Sequence, residues 1–246
     1  MLETSEASPQ GRPRAGAPAA VVLARAVFVL LVAGLAAVGC GGGRRSGVTT
    51  PTGAPSKPRR VLAFGDSVTQ GFTTAGDRTF ILSQPYPAIL GDLLRALIHR
   101  DSFTVNVGLG GEQTAEGASR FPGALANSGA DIALILEGVN DARSLRSVDS
   151  IVGNLRTMVQ TAKARGVAPL IGTLPPERLS PDNPVGPHIQ AVNAGIRAMA
   201  AQEGTGIVDF FARMTVEDMS EDGFHPSEAG YRAMANLAFQ VIAALP

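Results

Sequence analysis

The sequence predicts an α/β fold: a three-layer α/β/α sandwich around a five-stranded parallel sheet. Three observations lead there. Five short apolar runs, each near five residues and with little alternation, have the pattern of strands buried on both faces. Between them lie longer stretches with apolar residues at helical spacing. Polar, glycine-containing segments follow directly after the runs, as functional residues do at the C-terminal edge of a parallel sheet.

In chain order, strands are expected over residues 60–64, 103–107, 132–137, 168–173 and 206–210. A helix over 86–99 is expected to bury Ile89, Leu90, Leu93, Leu94 and Leu97 on one face. Thr114–Ser128 also reads as a helix, interrupted by Pro122 and its glycines. Val148–Ala164 carries Ile151, Val152, Leu155, Met158 and Val159 at helical spacing, and 189–202 carries Val192, Ile196 and Met199. A last helix covers 227–245. The segments 69–85 and 174–187 read as loops beside a binding pocket. The first brings Phe72, Phe80, Ile81 and Leu82, which suit an acyl chain or packing against the body.

The chain is formally neutral, but its charge is unevenly placed. Residues 1–60 hold eight Lys/Arg against two Asp/Glu, and residues 61–246 hold thirteen against nineteen. A basic head on an acidic body is the pattern of a targeting segment joined to a folded domain. Arg12, Arg14 and Arg25 precede an apolar run over 26–38. That run falls short of the roughly 20 residues of a membrane span and suits the core of a signal peptide. It closes on Ala37-Val38-Gly39-Cys40, and Cys40 is the sole cysteine of the chain. Small residues before a cysteine resemble a bacterial lipobox, so Cys40 is expected to be lipidated and to attach the mature protein to a membrane. An ordinary secretory signal or an uncleaved anchor, with an incidental cysteine, is the alternative. With one cysteine, no intramolecular disulfide can form. The chain therefore divides into a signal segment over 1–40, a Gly/Pro-rich flexible linker over 41–59 and a domain over 60–246. The expected location is the cell envelope. The body carries no basic stripe with interleaved aromatics, which argues against a nucleic-acid partner.

Two short motifs carry the chemistry. Gly65-Asp66-Ser67 leaves the first strand, and Asp222-Gly223-Phe224-His225 lies in a polar loop before the last helix. A serine is a poor nucleophile until a base takes its proton, and the base needs an anchor. Ser67 is the candidate nucleophile; as a bare serine at a helix start it also reads as a cap. His225 is the candidate base and Asp222 its anchor, with Asp218, Glu221 and Glu228 as nearby competitors. Pro226 favours an extended His225, and Ser227 can cap the helix that follows. The other two histidines, His99 and His188, read as structural, with His188 also near a pocket. Acyl transfer further needs donors aimed at the developing oxyanion. The Ser67 amide, the Gly111 amide and the Asn140 side chain are candidates, while Gly111 as a plain turn and Asn140-Asp141 as a helix start are the structural alternatives. Arg143 and Arg178 read as surface charge or as contacts for an anionic substrate.

Taken together, Gly65-Asp66-Ser67, Asn106 to Gly111, Gly138-Val139-Asn140-Asp141 and Asp222 to His225 occur in the order of the SGNH (GDSL-type) hydrolase superfamily. Residues 60–246 resemble that superfamily over nearly their whole length. The resemblance implies a flavodoxin-like fold and ester hydrolysis with no cofactor and no metal. It implies Ser67 as nucleophile, His225 and Asp222 as its partners, and Ser67, Gly111 and Asn140 as the oxyanion hole. Gly111 is preferred to Gly108 and Gly110 because it precedes the polar run Glu112-Gln113-Thr114. The expected substrate is a small ester, a lipid or an acylated glycan. Polysaccharide O-deacetylation, acyl transfer and non-catalytic binding are the competing readings.

Overall fold

In the computed structural model of the protein, residues 57–246 are described. The expected signal segment, Cys40 and the expected linker as far as residue 56 lie outside the described residues.

The body is built on five strands, all parallel, in the spatial order β4-β1-β5-β6-β7. They are β1 (Arg60–Gly65), β4 (Phe103–Asn106), β5 (Ile132–Leu136), β6 (Ala168–Gly172) and β7 (Gly206–Val208). β1 runs one residue beyond the expected 60–64, while the other four end one or two residues short, because Val107, Glu137, Thr173 and Asp209 already turn off the sheet edge towards loops. Central β5 is buried throughout and β1 is buried beyond Arg60, which is why both are written as unbroken apolar runs. Helices cover both faces. α2 (Tyr86–Leu97) and α8 (Glu228–Ala243) pack together on one side, and α3 (Thr114–Ser128), α5 (Val148–Ala164) and α6 (Val185–Glu203) line the other.

The helical stripes are mostly where the spacing puts them. In α5, Ile151, Leu155, Met158 and Val159 are buried, and in α6 Val192, Ile196 and Met199. In α2 the buried stripe is Tyr86, Pro87, Leu90, Gly91 and Leu94, and Leu97 at its last turn is exposed. The face rotates towards Tyr86, whose ring is fully buried in the core. α6 begins four residues before the expected start, because Pro187 falls in its first turn, where no backbone N–H is needed.

The topology decides where a ligand can go. The chain leaves β1, adds β4 on one side, then returns past β1 to place β5 on the other. The loops after β1 and β5 therefore diverge, and a crevice opens at this switch point. A feature not expected from the sequence sits beside it. Within the segment taken as a loop, β2 (Phe72–Ala75) and β3 (Arg78–Ile81) form an antiparallel hairpin. Short helices α1 (Ser67–Gln70), α4 (Val139–Arg143) and α7 (Phe210–Arg213) start at the exits of β1, β5 and β7. At the other end of the sheet Arg59 belongs to the folded body. Its amide meets Ser102 Oγ at 3.1 Å, and its guanidinium holds the carbonyls of Leu245 and, at 2.9 Å, Pro246.

Candidate active site

Ser67 is the first residue of α1, but it is not the cap. That role falls to Asp66, whose Oδ1 accepts the Val68 amide at 2.9 Å. The Ser67 hydroxyl is thereby left for another partner, and it meets His225 Nε2 at 3.0 Å across 158 residues of sequence. His225 Nδ1 in turn bonds Asp222 Oδ2 at 2.7 Å.

The Asp222–His225 loop is folded tightly enough to hold this chain in register. An isolated bridge pairs Met219 with Pro226, and the Ser220 amide donates to the His225 carbonyl at 2.7 Å. Asp222 Oδ1 accepts from the amides of Phe224 (3.0 Å) and His225 (2.9 Å) and from Ser220 Oγ (3.1 Å). Ser227 then caps α8, accepting the Gly230 amide at 3.1 Å. The competing acids are occupied elsewhere. Asp218 accepts the Thr215 amide, Glu221 accepts the Gly76 amide, and Glu228 faces Arg232.

The environment tunes the pair. Burial pushes the Asp222 carboxyl up, but the amides of Phe224 and His225, the Thr74 hydroxyl and the His225 ring outweigh it and hold its pKa at about 2. Burial lowers the His225 pKa below the ordinary histidine value, and Arg143 lowers it further; the Asp222 hydrogen bond pulls the other way. The imidazole is stacked against Phe72 at 5.7 Å between centroids and lies 3.8 Å from the Phe224 ring. It is a neutral, oriented base beside a hydroxyl.

The loop after β4 supplies the opposite wall. A side chain at Gly108 would drive a Cβ to 2.2 Å from the Gln70 amide nitrogen, so Gly108 is where this loop is pressed against α1. The Gly108 amide is held by Asn106 Oδ1 at 2.9 Å and the Gly110 amide by Gln70 Oε1 at 2.7 Å. Gly111 adopts φ +81°, a left-handed conformation suited to glycine, and faces the cleft. Asn140, in α4, donates one Nδ2 hydrogen to the Glu112 carbonyl at 2.8 Å. Its amide has a second hydrogen to offer. Glu112 is further gripped by Arg120, with contacts of 2.7 and 2.5 Å, while Arg120 also holds the Val107 carbonyl at 2.9 Å. Ser67, Gly111, Asn140 and His225 thus line one cleft of about 550 Å³, completed by Phe72, Leu109, Thr79 and Phe224.

The sequence profile of the GDSL-like lipase/acylhydrolase family matches residues 63–233. The chain belongs to that family. Esterase TesA of Pseudomonas aeruginosa is 32% identical over 133 residues, covering 52% of this chain and 64% of the esterase, so the chain spans under two thirds of that relative's length. The fold recurs in the lipase/acylhydrolase from Enterococcus faecalis, with a TM-score of 0.66 and 24% identity over 76% of this chain and 97% of that one. It recurs in Est24, a carbohydrate acetylesterase from Sinorhizobium meliloti, with a TM-score of 0.65 and 21% identity over 76% of this chain and all (100%) of that one.

Several residues of this GDSL-family site were not singled out by the sequence. Thr74, on the hairpin, donates to Asp222 Oδ2 at 2.7 Å. Asp141 accepts the Thr114 amide and hydroxyl, both at 2.8 Å, and so fixes the start of α3 against α4. Asp66 and Glu137 are fully buried at adjacent strand ends, and burial raises both carboxyl pKa values, that of Asp66 to about 7. Of the four apolar residues expected near the pocket, only Phe72 lines the cleft; Phe80 and Leu82 border a separate groove behind the hairpin. His188 bonds the Arg146 carbonyl and His99 the Asp101 amide. Arg143 pairs with Glu177 at 2.7 Å and lies over the Phe224 ring, and Arg178 binds the carbonyls of Val216 and Met219.

Proposed function

We propose that this GDSL-family chain hydrolyses carboxylic esters through an acyl-serine intermediate, with Ser67, His225 and Asp222 as a catalytic triad. The observation that carries the reading is the hydrogen-bond chain from Ser67 Oγ through His225 to Asp222, at 3.0 and 2.7 Å. Such a chain supports the following reaction. Ser67 Oγ attacks the ester carbonyl carbon as its proton passes to His225 Nε2, and the imidazolium is stabilised by Asp222. The carbonyl electron pair moves onto oxygen. The tetrahedral adduct collapses, the C–O bond to the alcohol breaks, and His225 returns the proton to the departing alkoxide. Water then repeats the sequence on the acyl-serine, releasing the acid and restoring Ser67.

The oxyanion contacts follow from which donors are already committed. The Gly108 and Gly110 amides serve Asn106 and Gln70. This supports the assignment to the Gly111 amide, the Ser67 amide and the remaining Asn140 Nδ2 hydrogen. Phe72, Leu109 and Phe224 give the cleft apolar walls, which favour a small acyl or aryl group or a lipid ester over an extended, hydroxyl-rich glycan. Hydrolysis of p-nitrophenyl esters of graded chain length by Ser67→Ala and the native chain tests the reading. Turnover is expected to vanish in the variant while its circular dichroism is kept; undiminished turnover contradicts it.

A further inference from the structure

We propose that Thr74, backed by Thr79, is a positioning residue for Asp222, so that the β2–β3 hairpin is part of the catalytic apparatus as well as a wall of the cleft. The inference rests on the triad reading above.

Thr74 and Thr79 are directly opposite each other in the hairpin, and their hydroxyl oxygens are 3.0 Å apart. Thr74 Oγ1 is 2.7 Å from Asp222 Oδ2, the same oxygen that His225 Nδ1 meets at 2.7 Å. The directions of these bonds can be deduced. An ionised carboxylate only accepts, so the single Thr74 hydrogen goes to Asp222. The hydrogen between the two threonines must then come from Thr79. The result is an ordered chain: Thr79 donates to Thr74, Thr74 to Asp222, and Asp222 receives His225, which faces Ser67. Thr79 lines the cleft itself, so the chain begins and ends at the substrate.

The hairpin is fastened where this role needs it. The Thr74 amide bonds Ser220 Oγ at 3.2 Å, the Gly76 amide bonds Glu221 Oε2 at 2.8 Å, and the Tyr231 hydroxyl holds the Phe72 carbonyl at 2.6 Å. With Oδ1 already taken by two amides and Ser220, the Thr74 hydroxyl determines how Oδ2 divides its charge between the hairpin and the imidazole. Removing that donor concentrates charge on Oδ2, which then holds the imidazolium proton more strongly. The other groups facing the pair are Arg143 of α4, Glu177 after β6, Glu221 and Arg178 flanking the loop, and the Tyr231 phenol of α8. The Thr74 hydroxyl itself bonds Thr79 and Asp222 and none of these groups.

The experiment is the pH profile of kcat and KM for p-nitrophenyl acetate hydrolysis by Thr74→Val, Thr74→Ser and Thr79→Val. For Thr74→Val the acid limb of kcat/KM is expected to move up by about one unit, the size of one hydrogen bond to a charged acceptor. Its kcat falls roughly tenfold at unchanged KM, well short of the loss of about 10⁴-fold known for a disabled triad aspartate. Thr74→Ser restores both quantities, and Thr79→Val moves the limb the same way by less. A wild-type limb and kcat in Thr74→Val, or no limb shift in Thr79→Val should Thr74→Val not fold, overturns the proposal while Ser67→Ala stays inactive. Activity surviving in Ser67→Ala overturns the triad reading beneath it instead.

Discussion

Between Phe72 and Phe224 the imidazole of His225 loses most of its hydration, and burial carries its pKa below the ordinary histidine value. A general base works when neutral, so kcat/KM should rise with pH through that depressed pKa and level off above it. Half-maximal kcat/KM is therefore expected below about pH 6.5, the unperturbed histidine value; a profile still climbing at pH 8 would contradict the assignment. On the same scale, His225→Ala should cost about 10⁶-fold in kcat and Asp222→Ala about 10⁴-fold, since the anchor only orients and stabilises the base. Ser67, Asp222 and His225 could be picked out of the sequence as candidates because each sits in a short motif, and the structure joins the three in one hydrogen-bond chain. Thr74 could not be picked out. Its partner lies 148 residues away, and nothing in Phe72-Thr73-Thr74-Ala75 announces a hydroxyl aimed at a carboxylate.

The elements that carry these residues are joined by close backbone approach rather than by side-chain packing. Gly108 lies where the loop after β4 meets α1, and any Cβ there would collide with the Gln70 backbone. Gly108→Ala is expected to push the Gly111 segment away from Ser67. It should lower stability by ~1–3 kcal/mol, the usual cost of overpacking, and reduce kcat more than it raises KM. Urea denaturation with steady-state kinetics checks this, and a fully active, fully stable variant would refute it. The five sheet strands could be placed from their short apolar runs and α2, α3, α5, α6 and α8 from apolar residues at helical spacing, most plainly β1, β5 and α5, whose apolar residues are buried. The hairpin was missed for the opposite reason. Its strands have four residues each, and β3 is exposed throughout, so no apolar face marks them. The one available signal was Gly76-Asp77, a two-residue turn pair between runs rich in threonine and phenylalanine.

Across the whole molecule, one topological event assembles the site. Because β4 and β5 are added on opposite sides of β1, the exits of three neighbouring strands deliver Ser67, Gly111 and Asn140 to one crevice. The same crowding buries Asp66 and Glu137 beneath the site, where desolvation raises both carboxyl pKa values; repulsion from Asp141 and Glu112 adds to it at Asp66, and repulsion from Asp66 and Glu112 adds to it at Glu137. The folded protein then keeps protons that the unfolded chain releases near pH 4. Stability should fall as pH rises from about 4 through the folded pKa values, that of Asp66 being about 7. Glu137→Gln removes part of that decline, so its melting temperature should exceed the native one at pH 8 and match it at pH 4; identical declines in both proteins would refute the account. Everything else depends on the hydroxyl at the switch point being the nucleophile. The most direct measurement is mass spectrometry of the intact, folded protein after treatment with a fluorophosphonate. One adduct, mapped to the peptide containing Ser67 and lost in both Ser67→Ala and His225→Ala, is the predicted result. No adduct on the folded protein, or an adduct that survives in Ser67→Ala, would contradict it.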